Sequence, residues 1–315
     1  MKYCLGIEGT AHTIGAGIVS FEGKVLANEK AVYTSETGMI PTAVAEHHKK
    51  HVDEVVARAL KTAKVGWQEI SLISYSAGPG LAPCLHVANN KAQELGKEHG
   101  IPVVGVNHCV AHLTIGQLAT TMKDPVFLYV AGANTQVICL AGERFRIFGE
   151  TLDIGLGNAL DKFGREKGLG FPAGPKIEEL AKKGKWVELP YSVKGMDVSF
   201  SGIVTKATRM QEKVEDVCFS LQETCFAMLA EVAERALAHA ERSELCLIGG
   251  VGANKRLCKM LETMCKARGA TFAVVPLDLA GDQGAMIAWQ GILEKGKTSE
   301  GIRPYERTDD VVVDW

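Results

Sequence analysis

The chain has 315 residues, of which 46% are hydrophobic and 23% charged, with a formal net charge of −2. That length holds one large domain or two of ordinary size, and the balance is that of a soluble globular protein. It excludes gripping nucleic acid through overall charge, and leaves open a local basic face or help from a partner.

No apolar run approaches a membrane span, and MKYCLGIEGT lacks the basic-then-apolar build of an export signal. The nine cysteines are scattered, with no C-x-x-C pair. They read as reduced thiols, mostly small core residues, in a cytoplasmic protein with no membrane partner.

In chain order, Tyr3 to Ile7 predicts an apolar strand. EGTAHT is a turn, IGAGIVSF a second strand, and Lys24 to Asn28 a third after the turn at Gly23. A Gly- and Thr-rich turn offers backbone N–H groups and hydroxyls to a phosphate or carboxylate, or is simply a tight hairpin. Glu8 is the only carboxylate beside it. Thr42 to Lys64 reads as a helix with Val44, His48, Val52, Val55, Val56 and Leu60 inward. Ile70 to Ser76 is the next strand, and the turn GPGLAPC leads into a helix from Leu85 to His99.

The stretch IPVVGVNHCVAHLT, Ile101 to Thr114, carries the first candidate for chemistry. It begins as a buried strand ending near Val106, and Asn107 stands at the N-cap of the helix that follows. His108 and His112 are four residues apart, which stacks both imidazoles on one helix face. Two neutral imidazoles on a rigid element can bind a transition metal. In H-E-x-x-H the glutamate is the base for metal-assisted hydrolysis; here Cys109, Val110 and Ala111 intervene, which argues against a zinc peptidase. His47 and His51 repeat the spacing, but Lys49 and Lys50 lie between them on a solvated helix face, where like charge repels a cation.

From Pro125 the programme restarts. Val126 to Ala131, Gln136 to Leu140 and Phe145 to Gly149 are strands, with GANT and AGE as turns. Helices follow around Gly157 to Lys167 and Ile177 to Lys183, then a polar irregular loop, KGMDVSFSG. Val214 to Arg242 is a long helix, Leu245 to Ile248 a strand and GGVGAN a turn. Lys255 to Arg268 is a helix, Thr271 to Val275 a strand, and Gly281 to Glu294 the closing helix.

Both halves therefore read βββαβα followed by a last strand and helix. EGTAHTIGAGIV and AGANTQVICL hold the same place in the two copies. The expectation is an α/β protein of two related domains, 1–124 and 125–315, with both Gly/Thr turns facing one cleft and the last helix and tail packing back towards the first domain. A dinucleotide-binding dehydrogenase does not fit, because the first strand enters a hairpin and GGVGAN lacks the third glycine.

Together these motifs resemble the actin-like ATPase superfamily, and within it the TsaD-type tRNA threonylcarbamoyl transferases of the archaeal and eukaryotic KEOPS branch, formerly labelled O-sialoglycoprotein endopeptidases. The resemblance covers the whole chain. Its carriers are GIEGTAHT, the HH of AEHHKKH, GPGLAPCL, VNHCVAH, YVAGANTQ, FGETLD, KGMDVSFSG, GGVGAN, GDQGAMIAW and RTDDVVVDW. It implies an actin-like fold of two βββαβαβα-type domains about a nucleotide and metal cleft. It also implies a metal, iron or zinc, held by His108, His112, Tyr129 and Asp282, a ligand set that suits either ion. Nucleotide contacts are implied from Tyr129, from the turn Ala131, Gly132 and Ala133, and from Asp161, Gly174, Glu178 and Asn254.

The sequence departs from the family in three turns. S-G-G-N-T appears with Ala131, Gly132 and Ala133; G-G-P appears as Ala173, Gly174, Pro175; and A-A-N-N appears as Gly252, Ala253, Asn254, Lys255. Losing the hydroxyl removes a donor, and a Cβ at Ala133 limits close approach and positive φ.

The function implied by the resemblance is transfer of a threonylcarbamoyl group from threonylcarbamoyl-AMP to the exocyclic amine of the adenosine next to the anticodon in tRNAs reading ANN codons. His108 and His112 would serve the catalytic metal, and threonylcarbamoyl-AMP, ATP or AMP, with or without magnesium, would occupy the cleft. The partners implied are tRNA and the KEOPS subunits: a small protein kinase, a dimerising subunit and a tRNA-binding subunit. The helix with His47, His48, Lys49, Lys50 and His51, and Arg256 with Lys259, are candidate tRNA-facing surfaces. The alternative readings are a kinase or ATPase of the same superfamily, which needs a carboxylate base and Mg²⁺-dependent γ-phosphate transfer, and a nucleotide-switched scaffold.

Overall fold

The computed structural model describes residues 2–34, 40–297 and 301–315. It forms two compact units, Met1–Ala119 with Asp282–Trp315, and Thr120–Gly281.

In the first unit the elements are β1 (Tyr3–Glu8), β2 (Thr13–Ser20), β3 (Val25–Val32), α1 (Pro41–Ala63), β4 (Ile70–Gly78), α2 (Ala82–His99), β5 (Val103–Asn107) and α3 (His108–Thr120). The sheet order is β3-β2-β1-β4-β5; the first three strands are an antiparallel meander, and β4 and β5 add in parallel. Proline in the first turn starts both α1 and α2, where a missing N–H costs nothing. Gly100 ends α2 in the left-handed conformation and donates its N–H to the Gly96 carbonyl.

Side-chain alternation along β1 decides where the site is built. Tyr3, Leu5 and Ile7 join the core that includes Val44, Val52, Val55 and Val56 of α1 and Val87, Ala88 and Ala92 of α2. Cys4, Gly6 and Glu8 alternate with them along the strand, and Glu8 meets His108.

The second unit holds β6 (Val126–Val130), β7 (Thr135–Ala141), β8 (Arg144–Glu150), α4 (Leu156–Glu166), α5 (Gly174–Ala181), β9 (Val193–Lys194), β10 (Asp197–Val198), α6 (Ser201–Arg209), α7 (Val214–His239), β11 (Glu244–Ile248), α8 (Lys255–Arg268), β12 (Thr271–Val274) and α9 (Leu277–Ala280). Its sheet order, β12-β11-β6-β7-β8, repeats the first: a meander with two parallel strands added beside its first member. The repeat legible in the sequence is thus a repeat of topology. The stretch expected to be an irregular loop differs. KGMDVSFSG holds the β9–β10 hairpin, and α6 begins at its Ser201, burying Ile203, Val204 and Ala207.

The last helix, α10 (Gly284–Leu293), follows the second unit in sequence and belongs to the first in space, packed on β1, β2 and β4. Its approach is set by glycine. A Cβ on Gly6 would lie 2.8 Å from Ala288 Cα, and one on Gly284 would lie 2.6 Å from Ala16 Cα. The β1–β2 register pairs Gly6 with Gly17, which makes a channel of bare backbone for the helix.

His48 lies on the inward face of α1, fully buried, and its Nε2 has no hydrogen-bond partner. Burial, followed by the neighbouring His47, pushes its pKa down to about 4. A base whose folded pKa is depressed contributes its stability above the unfolded value of roughly 6.5 and loses it as pH falls towards 4. The loss amounts to about 3 kcal/mol across that window. Urea midpoints measured at pH 7 and pH 5 should separate by less in His48→Leu than in the wild type; equal separations would reject the role.

Candidate functional site

The strand-to-helix junction of β5 and α3 places the two histidines. Asn107 closes β5, and its Oδ1 accepts from the Val110 amide at 3.1 Å, the N-cap expected from the sequence. His108 and His112 then lie one turn apart with ring centroids 4.7 Å apart and planes at 84°. The carboxylate comes from the far end of the chain. Asp282 precedes α10, whose N-cap Gln283 accepts from the Met286 amide at 3.0 Å. Asp282 Oδ1 lies 3.3 Å from His112 Nε2 and 3.5 Å from His108 Nε2. Ligand atoms of the three residues lie within 4.8 Å of one another, the one His/Cys/Asp/Glu group of this kind among the described residues.

Behind them is Glu8, wholly buried, whose Oε2 accepts from His108 Nδ1 at 3.0 Å. Its other oxygen accepts from the Thr10 amide at 2.8 Å and the Thr10 hydroxyl at 2.6 Å. The Gly/Thr turn therefore spends these donors on the chain's own Glu8. Glu8 in turn fixes the tautomer of His108, leaving the Nε2 lone pair aimed at Asp282, as a carboxylate does behind a metal-bound imidazole.

The electrostatics match. Burial alone would lower His108, but the charge and hydrogen bond of Glu8 and the charge of Asp282 outweigh it and push the imidazole up to about 9. Burial lowers His112 and prevails over its hydrogen bond to Asp282. Burial would raise the Asp282 carboxyl, yet the hydrogen bond from His112 and the charges of His108 and His112 hold it well below the usual carboxylate range. A lone pair on a buried imidazole facing a part-buried carboxylate calls for a cation, either a proton on His108 or a metal that replaces it. The donor set, two imidazole nitrogens and one carboxylate oxygen with an oriented imidazole, fits iron or zinc. Tyr129, which the resemblance adds to this set, is buried at the end of β6 in the second unit.

The residues expected to hold nucleotide all lie in the second unit. The turn Ala131–Ala133 follows β6 and sits against the start of α4: the Ala131 and Gly132 carbonyls accept from the Gly157 and Asn158 amides at 3.0 Å. Ala133 is not among the described residues with positive φ, so its Cβ brings no strain there. Asp161 on α4 accepts from the Ala173 amide at 2.7 Å, next to Gly174, and Glu178 accepts from the Lys255 amide at 2.9 Å. Asn254 caps α8, accepting from the Arg256 and Leu257 amides at 2.9 and 3.1 Å while donating to Gln222 at 3.1 Å. Hydrogen bonds thus link α4 to the start of α5 through Asp161, and α5 to the start of α8 through Glu178, and a Cβ on Gly174 would meet nothing within 4 Å. Burial raises Asp161 against the pull of the Ala173 amide.

The expected tRNA-facing cations are mostly paired. Lys49 bonds Glu46 at 2.6 Å, Arg256 bonds Glu223 at 2.5 Å, and Lys259 bonds Glu262 at 3.1 Å. His51 faces Glu54 at 3.5 Å, and the His47 and His51 rings lie 4.5 Å apart. No helix among the described residues is long and apolar enough to cross a membrane.

Sequence reasoning noticed Glu8 without giving it a role. The signal was the alternation of β1, which puts Glu8 on the face of Gly6.

A family model described as TsaD, tRNA N6-adenosine threonylcarbamoyltransferase, matches residues 22–289. The chain is 50% identical over 323 residues to the tRNA N6-adenosine threonylcarbamoyltransferase of Thermococcus sibiricus, covering 99% of each. It is 48% identical over 322 residues to a probable bifunctional tRNA threonylcarbamoyladenosine biosynthesis protein of Methanobrevibacter smithii, covering 99% of this chain and 60% of that one. Among solved structures it is similar to full-length HypF in its phosphate- and nucleotide-bound form, at a TM-score of 0.63 and 10% identity, over 92% of this chain and 55% of that one. That likeness speaks to the fold, which is the actin-like ATPase fold. With most of its length matched by the family model and half its residues shared with a full-length relative, the chain belongs to the TsaD family of tRNA N6-adenosine threonylcarbamoyltransferases.

Proposed function

We propose that this acyltransferase uses threonylcarbamoyl-AMP as donor and one divalent metal, iron or zinc, held by His108, His112 and Asp282. The convergence of both Nε2 atoms on Asp282 Oδ1, with His108 locked from behind by Glu8, is the observation that supports it. The family's activity is transfer of threonylcarbamoyl to N6 of a tRNA adenosine. The acceptor is read as the adenosine next to the anticodon in tRNAs for ANN codons, unstacked to reach the site.

The donor is a mixed anhydride, already activated, so no serine or cysteine nucleophile is needed. The adenosine amine attacks the carbamoyl carbon, the C–O bond to phosphate breaks, AMP leaves and one proton is released. The bound metal would supply a Lewis acid for the carbonyl and an anchor for the phosphate. The chain's part is positioning. Glu8 fixes the His108 tautomer, and the second unit offers the Ala131–Ala133 turn, Asp161, Gly174, Glu178 and Asn254 to AMP. The side of Gly174 left open gives that nucleotide room. Because Lys49, Arg256 and Lys259 are ion-paired, tRNA affinity is assigned largely to KEOPS-type subunits in the cytoplasm.

The test supplies threonylcarbamoyl-AMP and labelled threonine product is counted on tRNA, using protein stripped by chelator and then reloaded. Stripping should abolish transfer and reloading with iron or zinc should restore it. A stripped, folded and fully active protein would reject the metal.

A further inference from the structure

The tail after residue 300 returns to the junction that carries His108. Tyr75 Oη donates to the Gly301 carbonyl at 2.8 Å, the Arg303 amide to the Ala77 carbonyl at 2.5 Å, and the Gly80 amide to the Pro304 carbonyl at 3.2 Å. Two side chains then extend these backbone anchors to β5. Arg303 Nη2 donates to the Gly105 carbonyl at 3.1 Å, and its Nε donates to Glu306 Oε1 at 2.8 Å. Glu306 Oε2 accepts from Asn107 Nδ2 at 3.1 Å, and the Arg307 carbonyl lies 3.4 Å from the same nitrogen.

Asn107 is 1% exposed, caps α3 with its Oδ1, and immediately precedes His108. Its amide plane is thereby held at both ends. The oxygen takes the Val110 amide in the first turn of α3, and the nitrogen is taken by the tail. If the nitrogen loses its partner, the amide is free to turn and the cap at Val110 loosens with it. The first turn of α3 is the turn that aims His108 Nε2.

We infer that Glu306, oriented by Arg303, is a positioning residue for the metal centre. It clamps the Asn107 side chain so that the cap of α3 stays formed and His108 stays aimed at Asp282. The inference rests on the reading of His108, His112 and Asp282 as metal ligands. Partners one shell removed from a metal typically change its affinity by about 10- to 100-fold, and Glu306, a shell further out, belongs at the low end of that range.

The test compares Glu306→Ala with Glu306→Gln in the full chain, titrating zinc against a competing chelator and following hydrogen exchange of the Val110 amide in metal-free protein. Both variants remove the charge, and only glutamine keeps an oxygen for Asn107. Glu306→Ala should weaken zinc about tenfold and speed Val110 exchange by more than its modest drop in urea midpoint accounts for, while Glu306→Gln stays close to the wild type. Wild-type affinity and exchange in Glu306→Ala would overturn the clamp, and so would equal losses in both variants, which would mean charge alone. A wild type that fails to bind zinc stoichiometrically would reject the metal reading instead, and Val110 exchange would still judge the clamp.

Discussion

Alanine at both His108 and His112 should leave a protein without stoichiometric metal and with threonylcarbamoyl transfer reduced by at least ~1,000-fold, since Lewis-acid stabilisation of the developing charge is worth several kcal/mol. The two single variants should differ in what else they lose. His108 answers two carboxylates, the buried Glu8 at 3.0 Å and the part-buried Asp282 at 3.5 Å. Taking it away leaves Glu8 with only the donors of Thr10. Breaking a buried pair costs about 3 kcal/mol or more, so His108→Ala should unfold at distinctly lower urea even when no metal is present. Burial lowers His112, and its loss removes a donor atom without stranding Glu8. His112→Ala should therefore lose metal and activity with the smaller change in metal-free stability. Elemental analysis, urea midpoints in chelator and transfer of labelled threonine read the three effects separately. A double variant that is folded, metal-free and fully active would remove the catalytic metal and return the nucleotide-switched scaffold as the better reading.

The contrast between these histidines shows what the sequence could and could not tell. The i,i+4 spacing and the Asn107 cap were legible because both are local: a helix period and a capping rule suffice. The His47 and His51 pair obeys the same spacing, and context sets it apart from the first, since its neighbours on α1 are Lys49 and Lys50 and His51 faces the exposed Glu54 at 3.5 Å. Asp282 entered the set only through family resemblance. The last helix is expected to pack back towards the first domain, yet nothing within its own stretch says that α10 lands on β1. That return is written in Gly6 and Gly17, whose meaning depends on a pairing register that no single strand reveals. Glu8 was hidden for a similar reason. A carboxylate at the end of an apolar strand reads as a turn residue until its partner, 100 positions away, is in place. The nucleotide residues show the converse: Asp161, Glu178 and Asn254 are expected as ligand contacts, and in the fold each holds a backbone amide of the chain itself. Helix α6 went unread because KGMDVSFSG has polar and glycine composition up to its first turn, and composition is a poor guide where a short helix is held by packing of Ile203 and Val204.

Gly284→Ala should cost about 3 kcal/mol of stability, the upper part of the range for forced overpacking, and should weaken metal binding as well. Intrinsic helix propensity argues the other way, because alanine is favoured over glycine within a helix by about 0.5–1 kcal/mol. Packing decides the sign. The new Cβ would lie 2.6 Å from Ala16 Cα and closer still to the Gly17 amide nitrogen, and these are backbone atoms of a strand paired on both sides. No side chain can rotate away, so the start of α10 must lift off the sheet. Asp282 lies two residues before Gly284, and its carboxylate moves with that end of the helix, away from His108 and His112. Gly202 in α6 is the matching control, since a Cβ there would meet nothing within 4 Å. Gly202→Ala should stabilise its unit by about 0.5–1 kcal/mol on propensity alone. Urea midpoints moving in opposite directions for the two substitutions, with zinc affinity lowered only in Gly284→Ala, would tie the close approach of α10 to the placing of the Asp282 carboxylate. A Gly284→Ala protein as stable as the wild type and as tight for zinc would show that the helix can give way without disturbing the site.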